Sequence, residues 1–175
     1  MSHSNIVGGS TAKRLIKCPG SRKLVAEMPP QPSSKYAEEG TRAHELAAVM
    51  LERMQLWSAN DWDADMIDYV RSYAEYVSHE AEGHTLMIEQ RVDYSDVIGV
   101  SDSFGTADAI VLAGDTIKII DLKYGMGVRV SAEENEQLQM YALGALDLYG
   151  LVDTFTKVKL AIVQPRLGHL SEWEL

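Results

Sequence analysis

Two short segments hold the residues whose types and spacing could do chemistry: Gly105-Thr106-Ala107-Asp108-Ala109-Ile110, and Ile119-Ile120-Asp121-Leu122-Lys123. Asp121 and Lys123 are two apart, so on a strand both side chains project from one face. The flanking Ile119, Ile120 and Leu122 mark an interior strand, where charge is costly unless it is paired or bound to a metal. A turn at Ala113-Gly114-Asp115 predicts a hairpin that brings Asp108 onto the neighbouring strand. Two carboxylates and an ammonium then converge near one strand end. Phosphodiester hydrolysis uses such a kit. Carboxylates hold Mg²⁺ or Mn²⁺, which activates water and offsets phosphate charge. A lysine beside them orients the water or stabilises the developing negative charge. The plainer alternative for Asp121 and Lys123 is a salt bridge at a strand terminus. Their place after a hydrophobic strand, with Asp108 ahead of a hairpin, favours the chemistry.

Further on, Gln137 and Tyr141 are four apart on an expected helix and share one of its faces, while Leu138, Ala142 and Ala145 are suited to pack it on the sheet. A glutamine and a tyrosine so placed can hold a phosphate or a substrate strand. His44, in Glu39-Gly40-Thr41-Arg42-Ala43-His44-Glu45, can offer a metal a neutral imidazole from the helical layer. On its own, each of these three residues reads better as surface or packing, and only their company changes that. Cys18 has no histidine near it in sequence, and no Gly-rich phosphate loop of the G-x-x-x-x-G-K-[ST] type occurs.

The elements that must position these residues can be read from periodicity. Ser10 to Glu27 reads as a helix capped by Ser10 and broken at Cys18-Pro19-Gly20, and Met28 to Ser34, with three prolines, as a loop in which Ser33 or Ser34 caps the next helix. Lys35 to Trp57 predicts one helix with Leu46, Val49, Met50 and Met54 on its apolar stripe, despite Gly40, which costs about 1 kcal/mol relative to alanine. After a turn at Ser58 to Asp61, Trp62 to Glu82 predicts another helix, with Ile67, Val70, Tyr73, Ala74 and Val77 at helical spacing. Beyond Gly83 the period changes. Strands are predicted at Leu86 to Val92, Phe104 to Leu112 and Thr116 to Lys123, a helix at Ala132 to Tyr149, and a strand at Thr156 to Gln164. The order α-α-α-β-β-β-α-β predicts an α/β (mixed α+β) fold: a mixed sheet flanked by helices, with its last two strands parallel across the helical crossover.

Taken in order, these stretches resemble the PD-(D/E)XK nuclease superfamily, and within it the branch of RecB-type domains, Cas4-like exonucleases and related phage and prophage proteins. The likeness runs from Ser10 to about Gln164. It rests on Gly40 and His44, on Gly-Thr-Ala-Asp at 105–108, on Asp-Leu-Lys at 121–123 and on Gln-x-x-x-Tyr at 137–141. It extends to a Gln-Pro-Arg run, Gln164 to Arg166. The resemblance implies a restriction-endonuclease-like core. It implies that His44, Asp108 and Asp121 bind Mg²⁺ or Mn²⁺, with the Leu122 carbonyl, and that Lys123 is the catalytic lysine. Gln137 and Tyr141 then support substrate or site, and Glu89 on the first strand is a lesser candidate. Cas4-like members carry four cysteines for an iron–sulfur cluster. This chain has one, so no cluster is expected.

The resulting expectation is a stand-alone, metal-dependent deoxyribonuclease, an exonuclease in preference to an endonuclease, acting in phage recombination, repair or DNA processing. The alternative is a catalytically inactive module that binds nucleic acid or protein on the same fold. One domain over residues 1–175 is expected, open to truncation at its C-terminus. Its partners would be DNA, a further copy of itself or a recombination protein. The net charge of −10 argues against broad adhesion to nucleic acid, which uses basic surfaces. A single cysteine, a polar start and the lack of a long apolar run point to the cytoplasm of a bacterium or phage-infected cell, with no membrane partner.

Overall fold

In the computed structural model, residues 6–29, 33–52 and 62–175 are described. Met54, Trp57, Pro30, Pro32 and the turn expected at Ser58 to Asp61 lie outside them. A 3-10 turn at Gly9–Thr11 leads into α1 (Ala12–Lys17) and α2 (Ser21–Glu27), so the Cys18-Pro19-Gly20 break separates two helices, where one helix and a turn were expected. Two longer helices come next, α3 (Lys35–Glu52) and α4 (Ala64–Glu80). Ser34 caps α3 as its position suggests, its hydroxyl accepting from Ala37 N at 3.2 Å.

The sheet comprises β1 (Thr85–Asp93), β2 (Phe104–Ala113), β3 (Thr116–Leu122), β4 (Lys157–Gln164) and β5 (His169–Glu174), and its spatial order is the chain order. A short helix, α5 (Ser95–Ile98), links β1 to β2. The β2–β3 hairpin turns at Gly114, whose φ of +60° is the left-handed conformation glycine adopts without penalty. The helix α6 (Glu136–Tyr149) crosses from β3 to β4, and that pair is the parallel one, as a helical crossover requires. The other three pairings are antiparallel. This is the mixed α/β architecture the sequence predicts, with further differences in its elements. The helix expected from Ala132 begins at Glu136 instead, because Asn135 takes the cap position and its side chain accepts from Leu138 N. His169–Glu174, given no element in the sequence reading, forms β5, which pairs with β4 from Lys159↔Glu174 to Gln164↔His169.

Each face of the sheet carries its own core. Ile120 and Leu122 of β3, with Ala161 and Val163 of β4, pack under α3 and α4. Ile117 and Ile119 of β3, with Leu160 and Ile162 of β4, pack under α6. The two-residue period of a strand therefore sends Asp121 toward the α6 side. Among the described residues, no helix is long and apolar enough to cross a membrane.

Candidate active site

Strand pairing continues one residue past β3, since Lys123 N donates to Val163 O at 2.9 Å. This holds Asp121 and Lys123 on one face at the strand end, with Lys123 Nζ 2.7 Å from Asp121 Oδ2. The first turn of α6 brings Gln137 over them. Its carbonyl oxygen accepts from Lys123 Nζ at 3.0 Å, and its amide nitrogen donates to Asp121 Oδ1 and to the Tyr141 hydroxyl, each at 3.0 Å. Both amide hydrogens of Gln137 are thereby used. On β2, Asp108 Oδ2 accepts from the backbone N–H of Leu122 at 2.7 Å, and Oδ1 lies 3.2 Å from His44 Nδ1. His44 comes from α3, whose Ala43, Leu46, Ala47 and Met50 are buried beneath the helix, and its own side chain stands at the rim of the cleft.

All the side chains that the sequence singles out therefore meet in one place. His44, Asp108, Asp121, Lys123, Gln137 and Tyr141 line a cavity of about 320 Å³. Leu122 reaches the site through its backbone, its side chain being buried in the core under α3 and α4. Three further groups line the site or border it, and the first two have no clear signal in the sequence. One is the wall formed by Gly8, Gly9 and Ser10, which reads in sequence only as a helix start. Gly9 and Gly105 sit where the Tyr141 ring passes. A Cβ at Gly105 would lie 2.5 Å from Tyr141 Cε1, and one at Gly9 would collide with the same ring. Another is Tyr73, indistinguishable by spacing from its apolar neighbours on α4. Its hydroxyl is buried without a hydrogen-bond partner, and burial, followed by the charges of Asp108, Asp121 and Glu89, pushes its pKa well above the usual value.

The third is Glu89. The β1–β2 register runs Ile88↔Ala109 and then Gln90↔Ala107, so Glu89 stands across from Asp108 without a ladder pairing. Its φ of +50° is a left-handed conformation that a side-chain-bearing residue rarely takes, a strain of the kind that gathers at functional sites. Burial and then the Asp108 charge raise its pKa to about 7.

The electrostatics of the cleft divide it in two. Asp121 is 2% exposed, and its pKa is raised, chiefly by burial, with Lys123 opposing the shift. Burial pulls Lys123 down, but the Asp121 charge, their hydrogen bond and Asp108 outweigh it, so the lysine pKa is raised and the side chain is a cation at neutral pH. Burial likewise lowers His44, and Asp108 and Asp121 together overcome it, leaving that pKa raised. On one side, then, Asp121 is already matched by Lys123. On the other, one ligand atom each from His44, Glu89 and Asp108 lie within 4.8 Å of one another. A nitrogen and two carboxylates at that spacing, with no lysine or arginine among them, form a donor set suited to Mn²⁺ or Mg²⁺. Asp121 belongs to the cleft but stands apart from this cluster of three.

Fold and cleft together define a mixed α/β domain with an acidic, lysine-bearing pocket at the end of its parallel strand pair. Residues 3–175 match the family described as "Protein of unknown function (DUF2800)", and the chain belongs to that family. Among solved structures it is similar to one titled "Crystal structure of SSO0001", at 16% identity and a TM-score of 0.33, with 93% of this chain and 76% of that chain covered.

Proposed function

We propose that this protein is a metal-dependent nuclease of the PD-(D/E)XK type, which hydrolyses phosphodiester bonds in DNA. The observation that supports it most is the three-way junction of Lys123, Asp121 and Gln137, set beside the His44, Glu89 and Asp108 cluster in one open cleft. A salt bridge serving stability alone does not need a glutamine that both accepts from the lysine and donates to the carboxylate.

His44, Asp108 and Glu89 would hold Mg²⁺ or Mn²⁺, with Asp121 and the Leu122 carbonyl as further ligands, and the ion would supply Lewis acidity toward water and phosphate. The remaining chemistry falls to the chain's own groups. A phosphodiester in the cleft meets the Lys123 ammonium, which is charged and so stabilises negative charge on the phosphoryl oxygens as they become more electron-rich. Attack forms a bond from a water oxygen to phosphorus and breaks the bond to the leaving sugar oxygen. That oxygen takes up a proton as the water loses one. Gln137 fixes Lys123 and Asp121 at their working separation. It donates to the Tyr141 oxygen, leaving the tyrosine's own proton free to meet a substrate oxygen.

The test is cleavage of end-labelled linear duplex, circular duplex and single-stranded DNA in Mg²⁺ or Mn²⁺, by wild type, Lys123→Ala and Asp121→Ala. The expected result is metal-dependent cutting that falls by roughly 10²–10³ or more in both variants, the loss typical of a removed charge-stabilising group. Preference for linear substrates would define an exonuclease. Absence of both metal binding and cutting in wild type would reject the reading in favour of an inactive binding module.

A further inference from the structure

The Gln-Pro-Arg run takes no part in the cleft, yet its Arg166 supplies one wall of a second cavity. Gln164 is buried, accepts from Val130 N at 2.7 Å and donates to Val128 O at 3.2 Å. It thereby pins the loop after Lys123. Pro165 begins a 3-10 turn ending at Leu167, which turns Arg166 back over that loop. The guanidinium carbon of Arg166 stands 4.9 Å from the centre of the Tyr124 ring, and Nη1 donates to Glu39 at 2.9 Å. Tyr36, Glu39, Tyr124, Met126 and Arg166 then wall a cavity of about 480 Å³.

This cavity adjoins the cleft at residue resolution. Ala37, Gly40 and Lys123 line the cleft, while their chain neighbours Tyr36, Glu39 and Tyr124 line the cavity. The two hollows are therefore bordered by the same two stretches of chain, the start of α3 and the residues that follow β3. On the nuclease reading, a phosphate held in the cleft leaves an adjoining group for which this cavity is the candidate receptor.

Charge and shape choose that group. The Arg166 cation is already matched by Glu39, so the cavity is not built for a second phosphate. It offers instead the ring of Tyr36, 84% exposed, the Met126 side chain, 59% exposed, a guanidinium plane and a carboxylate that accepts hydrogen bonds. A flat, uncharged ring with N–H groups on its edge meets all four. Aromatic and guanidinium faces are the usual platforms for unpaired bases. The net charge of −10 adds a reason, since a chain so acidic gains little from neutralising a phosphate backbone and must draw affinity from stacking.

We propose that the cavity receives a nucleobase next to the phosphate being cleaved, so that the substrate is a single strand or a frayed end. The inference rests on the nuclease reading for the position of that phosphate. Bases inside an intact duplex are stacked and paired and cannot enter.

The experiment uses fluorescein-labelled single-stranded DNA oligonucleotides, identical except for one abasic site moved along the strand a position at a time. Binding is read by anisotropy in Ca²⁺ and cleavage in Mn²⁺, for wild type, Tyr36→Ala, Tyr36→Phe and Met126→Ala. Tyr36 and Met126 are exposed, so their variants keep the fold, which thermal melting verifies. One abasic position should weaken wild-type binding roughly tenfold, the effect of losing one stacked base. The dip should vanish in Tyr36→Ala, shrink in Met126→Ala and return in Tyr36→Phe. Matched RNA oligonucleotides giving the same dip would support recognition through the base. A flat wild-type profile, or a dip unchanged by Tyr36→Ala, would overturn the proposal. So would equal binding of a blunt, intact duplex. Cleavage with a flat profile would remove the cavity and leave the nuclease standing. A Tyr36-dependent dip without cleavage in Mg²⁺ or Mn²⁺ would keep the base site and remove the nuclease.

Discussion

Tyr141 shows how tightly single residues are fitted in the cleft. Its ring runs between Gly9 and Gly105, and its hydroxyl accepts from Gln137, so the ring has no room to swing. Gly105→Ala should therefore destabilise the protein by about 1–3 kcal/mol, the usual cost of overpacking. The same substitution in a Tyr141→Leu background should cost much less, because the colliding ring is gone. Urea denaturation of the four proteins in this cycle measures the difference, and equal costs in both backgrounds would mean that Gly105 is required for some other reason. The glycine was legible in the sequence only as a member of Gly-Thr-Ala-Asp. Which side chain required it was not, because that side chain arrives from a helix more than thirty positions later. Asp121, Lys123 and Gln137 were legible for the opposite reason, being close in sequence and set at strand and helix periods. Glu89 was only half legible. Its partner, Asp108, is fixed by hairpin register, and its left-handed backbone is a property no residue type announces.

At the scale of elements, periodicity located the helices and inner strands because each buries a regular face, and the parallel β3–β4 pair is a consequence of the crossover. The missed β5 has its cause in the same physics. An edge strand has one partner and one covered face at most. His169–Glu174 alternates half-buried and exposed positions without an apolar alternation to match, since His169 and Ser171 are half-buried and Leu170 is exposed. What ties this edge to the rest is charge. Glu80, the last residue of α4, receives Lys118 of β3 and Lys159 of β4 at 3.1 Å each, and Lys159 continues to Glu172 of β5 at 2.6 Å. Burial by itself raises the Glu80 pKa, but the two lysines outweigh it and hold the value below 4.5. Burial likewise opposes the charge on Lys159, and its two glutamates prevail, raising its pKa above 10.5. A depressed carboxylate contributes stability above its unfolded pKa and loses it as pH falls through the folded one. A raised lysine contributes below its unfolded pKa and loses it as pH rises through the folded one. The network is therefore fully stabilising between about pH 4.5 and 10.5. Glu80→Gln should cost about 1–3 kcal/mol at pH 7, since it takes the carboxylate from the half-buried Lys118 ammonium and leaves Lys159 with Glu172 alone. The deficit should shrink as pH falls below 4.5, where Glu80 of the unfolded chain takes up its proton, and vanish once the pH has passed the lower folded-state pKa. Thermal melts of both proteins across that range test it, and a deficit independent of pH would assign the loss to packing.

For the whole molecule, the proposed metal turns a local liability into global stability. Glu89 and Asp108 oppose one another across two strands, His44 completes the cluster, and the chain as a whole is already at −10. Without a cation the like charges work against folding. With one, the same groups bind the native state and have no such arrangement when unfolded. Glu89→Gln should thus act with opposite signs in two conditions. In EDTA it should stabilise the protein, on the order of 1 kcal/mol, by removing a like charge directly across the strand pair. In Mn²⁺ it should lose most of the ligand-linked stabilisation, which for wild type reaches about 2.7 kcal/mol at a hundredfold excess over Kd. For a chain of this length that corresponds to a wild-type Tm rise of roughly 5–10 °C. His44→Ala should lose the Mn²⁺ response without the gain in EDTA, since it removes no negative charge. Asp121→Asn discriminates between the two possible ligand sets. Its carboxylate is already engaged by Lys123 and Gln137, so a Mn²⁺ shift surviving this substitution would assign the ion to His44, Glu89 and Asp108. A shift abolished by it would make Asp121 a ligand, with Lys123 displaced from it on binding. No Mn²⁺ shift in wild type would leave the acidic cluster as an uncompensated cost and count against the nuclease reading itself.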